Sequence, residues 1–138
     1  MEKKIDAIVD ITNKKDTVRI ATASGILRLN EKSIDAIRNK SVKKGDVIEA
    51  STVAAIQAVK ETPRIIPHCH PIPLQACDVN WNIENDLLRC TVTVKASYKT
   101  VIEMEGITGV CAGLLCALDM VKSFEKDEQG LYRETTID

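Results

Sequence analysis

The sequence predicts an α+β domain of order β-α-β-β-α-β, a ferredoxin-like arrangement with helices packed on one face of an antiparallel sheet. Three observations predict it. The segments LQACDVNWNI (74–83) and LLRCTVTVKASY (87–98) alternate in polarity and are split by Glu84-Asn85-Asp86, the pattern of a hairpin. Ahead of them TVRIATASGILRL (17–29) is rich in β-branched and small residues and reads as a strand. After them GITGVCAGLLCAL (106–118) carries no charge and repeats its large apolar residues at helical spacing.

The remaining elements fall between these. Asn30 is placed to cap a short helix over EKSIDAIRN. Lys44-Gly45-Asp46 reads as a turn whose aspartate caps a helix from Val47 to about Glu61, ended by Pro63. A proline-rich segment, IIPHCHPIPL (65–74), leads into the hairpin. The long helix should run from Met104 or Glu105 to Phe124, Gly130 should turn the chain, and LYRETTI should add a last short strand.

The 138 residues form one expected domain, 1–138, of ordinary globular composition: 44% apolar and 28% charged. A net charge of −1 gives no overall pull on nucleic acid, so anion binding would need a local cluster. The first residues, MEKKIDAIVD, lack the apolar core of a signal peptide. No uninterrupted apolar run approaches 18 residues, so no membrane span is expected. The five cysteines are odd in number and lack CxxC spacing, which favours free thiols in a reducing cytoplasm over a zinc site of paired cysteines.

The long helix has two unusual features. Ile107, Val110, Cys111, Leu114, Leu118 and Val121 form one apolar stripe, while Gly109, Ala112, Gly113, Cys116 and Ala117 make the opposite side small rather than charged. A helix with no polar side is normally buried all round. A second subunit is therefore expected to cover the small side in a symmetric oligomer. Glu103 and Glu105 suit the positive end of the helix dipole, and they follow Lys99 and Thr100 in one polar junction. Near the other end Asp119 and Lys122 are neighbours at i, i+3. They read either as a surface ion pair or as a charged pair at a cleft mouth whose partial burial would shift both pKa values.

His68, Cys69 and His70 admit several readings. His-x-His on an extended chain puts both imidazoles on one side, as a metal would require, but only carboxylates such as Glu103, Glu105 or Asp119 remain as further ligands. A Cys69–His70 nucleophile pair is disfavoured because adjacent residues point to opposite sides. The prolines at 67, 71 and 73 leave few conformations between them, which suits either a packed loop or imidazoles held towards a substrate.

Taken together, "KGDV" (44–47), "IPHCHPIPL" (66–74), "KTVIEMEGIT" (99–108) and "LDMVK" (118–122) resemble the cyclic pyranopterin monophosphate synthase family of molybdenum cofactor biosynthesis. "VDITNKKDTVRIATASG" (9–25) is similar to its opening segment, V-D-V-[ST]-x-K-x-x-T-x-R-x-A. The resemblance covers nearly the whole chain in order. It implies a lyase that converts 3′,8-cyclo-7,8-dihydroguanosine 5′-triphosphate to cyclic pyranopterin monophosphate and releases diphosphate. It also implies a cytoplasmic homohexamer, a trimer of dimers with a ferredoxin-like subunit and active sites at a subunit interface, and neither a nucleic-acid nor a membrane partner. No resident metal or cofactor is implied, with Mg²⁺ the one ion a triphosphate could bring. Carried over by motif, Asp119 is the acid/base, Lys122 its partner and Lys44 a cation for the triphosphate. His68, Cys69 and His70 would line the substrate pocket with Glu103, Met104 and Glu105, and Arg19 would bind phosphate.

The chain departs from the family pattern in three places. His68 stands where leucine is common, and "YKTVIEMEG" lacks glycines usual around its lysine and threonine. The Lys-Ser-Gly-Gly-rich tail of many members does not occur through Asp138, so no tail residue is carried over. A non-catalytic oligomer binding purine nucleotides or triphosphates is the alternative function.

Overall fold

A computed structural model of the chain describes residues 2–138. Strands β1 (Thr17–Arg28), β2 (Ala76–Glu84), β3 (Leu87–Tyr98) and β4 (Thr136–Ile137) form one antiparallel sheet in the order β2-β3-β1-β4. The helices are α1 (Glu31–Asn39), α2 (Val47–Lys60), α3 (Thr62–Ile65) and α4 (Glu103–Glu125). The long strands β1 and β3 pair from Thr17↔Tyr98 to Arg28↔Leu87. Alternation along β3 sends Leu88, Cys90, Val92, Val94 and Ala96 to one face, all fully buried. Helices α2 and α4 close that face, with Val59, Val110, Leu114 and Val121 in the shared core.

Local chemistry sets the element ends. Asn30 accepts a hydrogen bond from the Ser33 N–H (2.9 Å) and Asp46 from the Glu49 N–H (3.1 Å), so both expected caps start their helices. Gly45, at φ +121°, makes the turn before Asp46, a conformation that L side chains rarely adopt. The hairpin loop is Asn85-Asp86, with Asn85 left-handed at φ +53°.

Three expectations need correction. Pro63 does not simply end α2; it stands in the first turn of α3, a position that needs no N–H. The Thr62 hydroxyl donates to the carbonyls of Ala58 (2.9 Å) and Val59 (3.0 Å), groups left at the end of α2. The last strand is two residues long, because Asp127 draws residues 127–133 into a turn of their own. Its Oδ1 accepts from the N–H groups of Gln129 and Leu131 (2.9 Å each), and its Oδ2 pairs with Arg133.

The third correction concerns α4. Gly109, Gly113 and Ala117 are buried within the chain, against α2 and the sheet, and need no second subunit to cover them. A Cβ on Gly109 would lie 2.6 Å from Val59 Cγ2, and one on Gly113 would lie 3.2 Å from the Trp81 ring. The apolar residues of α4 left exposed are Met104 at the cleft and Ile107, Cys111 and Leu115 beyond it. By length and mean hydropathy (1.5) α4 could also cross a membrane, which uninterrupted apolar runs did not suggest. In the fold it is the helix packed against β1, β3 and α2.

Candidate active site

The two ends of α4 carry separate clusters. At its N-terminal end a cleft of about 280 Å³ is lined by His68, Cys69 and His70 on one side and Glu103, Met104 and Glu105 on another. Val9, Ile11 and Lys14 of the N-terminal segment form a third wall. The two imidazoles share a side, as their i, i+2 spacing requires, and each directs a ring nitrogen at that segment. His70 Nε2–H donates to the Val9 carbonyl (2.7 Å), and His68 Nδ1–H donates to the Ala7 carbonyl. Lys99 Nζ donates to the Thr12 carbonyl (3.3 Å) and ties the same segment to the end of β3.

Glu105 is only 3% exposed. Burial pushes its carboxyl up from the ordinary value, and the negative charge of Glu103 adds to the shift. The Cys69 thiol is likewise raised, chiefly by burial and then by the Glu105 charge. Cys69 is therefore a neutral thiol at physiological pH and carries no thiolate chemistry. Among the described residues no three His, Cys, Asp or Glu side chains are grouped to hold a metal ion.

Arg19 lies in an adjoining groove with Val18, Ile102 and Glu103, which shares Val101 and Glu103 with the cleft. Its Nε–H is buried without a hydrogen-bond partner. An unsatisfied donor of that kind is costly, and an anionic oxygen would satisfy it.

Near the C-terminal end of α4 the Asp119 carboxylate bridges two ammonium groups. Lys122 Nζ donates to Oδ1 at 2.9 Å, and Lys44 Nζ donates to Oδ2 and to the backbone carbonyl at 3.1 Å each. The turn before α2 brings in Lys44 from 75 residues away. All three side chains are about half exposed. The pKa shifts expected from burial arise instead from contact: the bonds from Lys122 and Lys44 hold Asp119 below the carboxylate range, and Asp119 raises Lys122.

The residues singled out by sequence thus divide. His68, Cys69, His70, Glu103, Met104 and Glu105 converge, Arg19 adjoins them, and Lys44, Asp119 and Lys122 form a second cluster. Fourteen residues of helix separate Glu105 from Asp119, about 21 Å of rise. Lys14 lines the cleft and is not among the residues singled out by sequence, while Thr100, read there only as part of the polar junction, lines it too. The signal for Lys14 was present, since it is the lysine of the opening motif in VDITNKKDTVR.

A buried unpartnered Arg19 donor, a lysine-held Asp119 and a dry Glu105 carboxyl mark this small α+β protein as one with a candidate site for an anion. The chain belongs to the MoaC family, whose sequence profile matches residues 8–137. It is similar to a probable cyclic pyranopterin monophosphate synthase of Archaeoglobus fulgidus, 49% identical over 131 residues, covering 95% of this chain and 84% of that protein. A protein of the same name from Sulfurisphaera tokodaii is 49% identical over 130 residues, 94% of this chain and 86% of its own length. A probable cyclic pyranopterin monophosphate synthase accessory protein of Methanothermobacter thermautotrophicus is 47% identical over 130 residues, 94% and 82% of the two chains.

Proposed function

We infer that this chain is a lyase of molybdenum cofactor biosynthesis. It converts 3′,8-cyclo-7,8-dihydroguanosine 5′-triphosphate to cyclic pyranopterin monophosphate and releases diphosphate. One observation carries this function on the structural side: two separate family motifs, at 44–47 and 118–122, meet as the Lys44–Asp119–Lys122 cluster. The names of relatives at 46–49% identity support the same reaction.

The chemistry suits these residues. Negative charge accumulates on diphosphate as it leaves, and the Lys44 and Lys122 ammonium groups would stabilise it. Arg19 has an unspent N–H for a phosphate oxygen. Asp119, held ionised by its two lysines, is available to accept a proton, whereas the raised pKa of Glu105 makes it the readier of the two to hold and donate one. His68 and His70 would contact substrate from the proline-stiffened wall with Met104 and Glu103, and Cys69 would supply backbone and small volume. Closing the cyclic phosphate requires a sugar hydroxyl held in line with the α-phosphorus, a matter of positioning. No resident cofactor enters this scheme, and Mg²⁺ would arrive, if at all, with the triphosphate.

The separation of about 21 Å between the clusters supports active sites completed across a subunit interface. We read the strand order β2-β3-β1-β4, with helices on one face, as ferredoxin-like. We assign the single domain of residues 1–138 to a hexamer built as a trimer of dimers. The exposed Ile107, Cys111 and Leu115 supply apolar surface for such contacts. Five free cysteines suit a cytoplasmic setting.

The test is diphosphate release from the cyclic triphosphate by assembled protein. Asp119→Asn and Lys122→Ala should fold and assemble normally and lose about 10²-fold or more in rate. Turnover at the wild-type rate in either variant would refute the assignment of this cluster.

A further inference from the structure

The Asp119 cluster does not end at its two lysines. Lys126 follows Lys122 by four residues, and its backbone N–H bonds to the Lys122 carbonyl at 3.0 Å, so both lysines leave the same end of α4. The Lys126 ammonium lies over the Tyr132 ring, 5.7 Å from its centroid, within cation–π reach. Tyr132 is 41% exposed. The turn that presents Tyr132 is firmly built. Asp127 bonds the Gln129 and Leu131 N–H groups and pairs with Arg133, while Thr135 Oγ1 donates to the buried Glu125 (2.5 Å).

These bonds also commit the nearby carboxylates. Asp127 is held by Arg133, and Glu125 by Ser33, the Asn30 N–H and Thr135. Among the described residues Lys126 pairs with no carboxylate. Two ammonium groups therefore hold the Asp119 carboxylate, and Lys126, one helical turn beyond Lys122, adds a further cation to that end of α4 on a chain whose net charge is −1. The C-terminal carbonyls of α4 disfavour an anion, and these cations offset that field.

We propose that Lys126 and Tyr132 extend the Lys44–Asp119–Lys122 cluster into a subsite for the diphosphate group of substrate and product. Lys126 contacts its oxygens as a cation, and the Tyr132 hydroxyl donates a hydrogen bond to them. The ring also fixes the Lys126 ammonium beside Lys122. This role rests on the reaction inferred above, but inorganic diphosphate tests it without turnover.

Calorimetric titration of inorganic diphosphate into the assembled protein reads the subsite. Lys126→Ala, which removes a charge-assisted hydrogen bond, should weaken binding about tenfold. Tyr132→Phe, which removes the hydroxyl donor alone, should weaken it about threefold. Lys32→Ala, which removes a charge from exposed α1, should leave affinity unchanged. Failure of wild-type protein to bind diphosphate, or a Lys126→Ala affinity equal to that of Lys32→Ala, would overturn the subsite. Wild-type protein that binds diphosphate through Lys126 yet releases none from the cyclic triphosphate would refute the lyase and uphold the subsite.

Discussion

Glu105 and Asp119 are carboxylates on one helix whose pKa values are shifted in opposite directions. Glu105 is dry and has Glu103 as a like-charged neighbour, so its folded pKa lies above the unfolded value. Asp119 is wet but touches two ammonium groups, so its pKa lies below. The consequences for stability differ in sign. Folded Glu105 keeps a proton that the unfolded chain has lost, so its contribution falls as pH rises from the ordinary glutamate value through the raised one. The Asp119 contribution is present above the unfolded aspartate value and is lost only as pH falls through the lowered one. It is also small, because the pair is exposed. Glu105→Gln should therefore flatten the decline in denaturant midpoint as pH rises above the ordinary glutamate value, and an unchanged slope would count against a buried Glu105 with a raised pKa. The sequence identified both residues through motif and helix position. It did not reveal their opposite shifts, which depend on what each touches: EMEG and LDMVK contain no record of Lys44 arriving from the turn before α2.

At the scale of elements, the contact between α2 and α4 decides how the cleft is framed. Gly109 lets α4 approach Val59 and Ala55, both almost fully buried, and Val59 is a branched side chain with no room to turn. Gly109→Ala would gain about 1 kcal/mol in helix propensity. It would also place a methyl 2.6 Å from Val59 Cγ2 and 3.4 Å from the Ala55 carbonyl oxygen. Overpacking of this kind typically costs about 1–3 kcal/mol. We expect net destabilisation of up to about 2 kcal/mol in urea unfolding. Gly113→Ala should cost less, since its closest neighbours stand at 3.2 and 3.3 Å. The reverse order would be incompatible with Gly109 as the tighter contact. The small residues were visible in the sequence, but the identity of their partner was not. Periodicity defines the faces of a helix without saying which neighbour meets each one, and here α2 takes the face expected for a second subunit.

At the scale of the molecule, Ile107, Cys111 and Leu115 are exposed along one line of α4, between the His cleft and the Asp119 cluster. This is the apolar surface offered to the proposed subunit contact. If it joins subunits and completes the active sites, Leu115→Asp should shift light-scattering mass to smaller species and lower diphosphate release at least tenfold, while circular dichroism stays unchanged. A variant retaining wild-type mass and rate would remove α4 from the interface.

The sequence by itself determined the order of the main elements, both helix caps, the hairpin and the residue types of the candidate site, because these depend on neighbours within a few positions. Motifs spread over most of the chain also determined the family. Only the tertiary structure decided that Asp127 would consume most of the last strand, that Lys44 would meet Asp119, and that the candidate residues would form two clusters. Those outcomes depend on contacts between distant residues and on competition for hydrogen bonds, which short-range pattern does not encode.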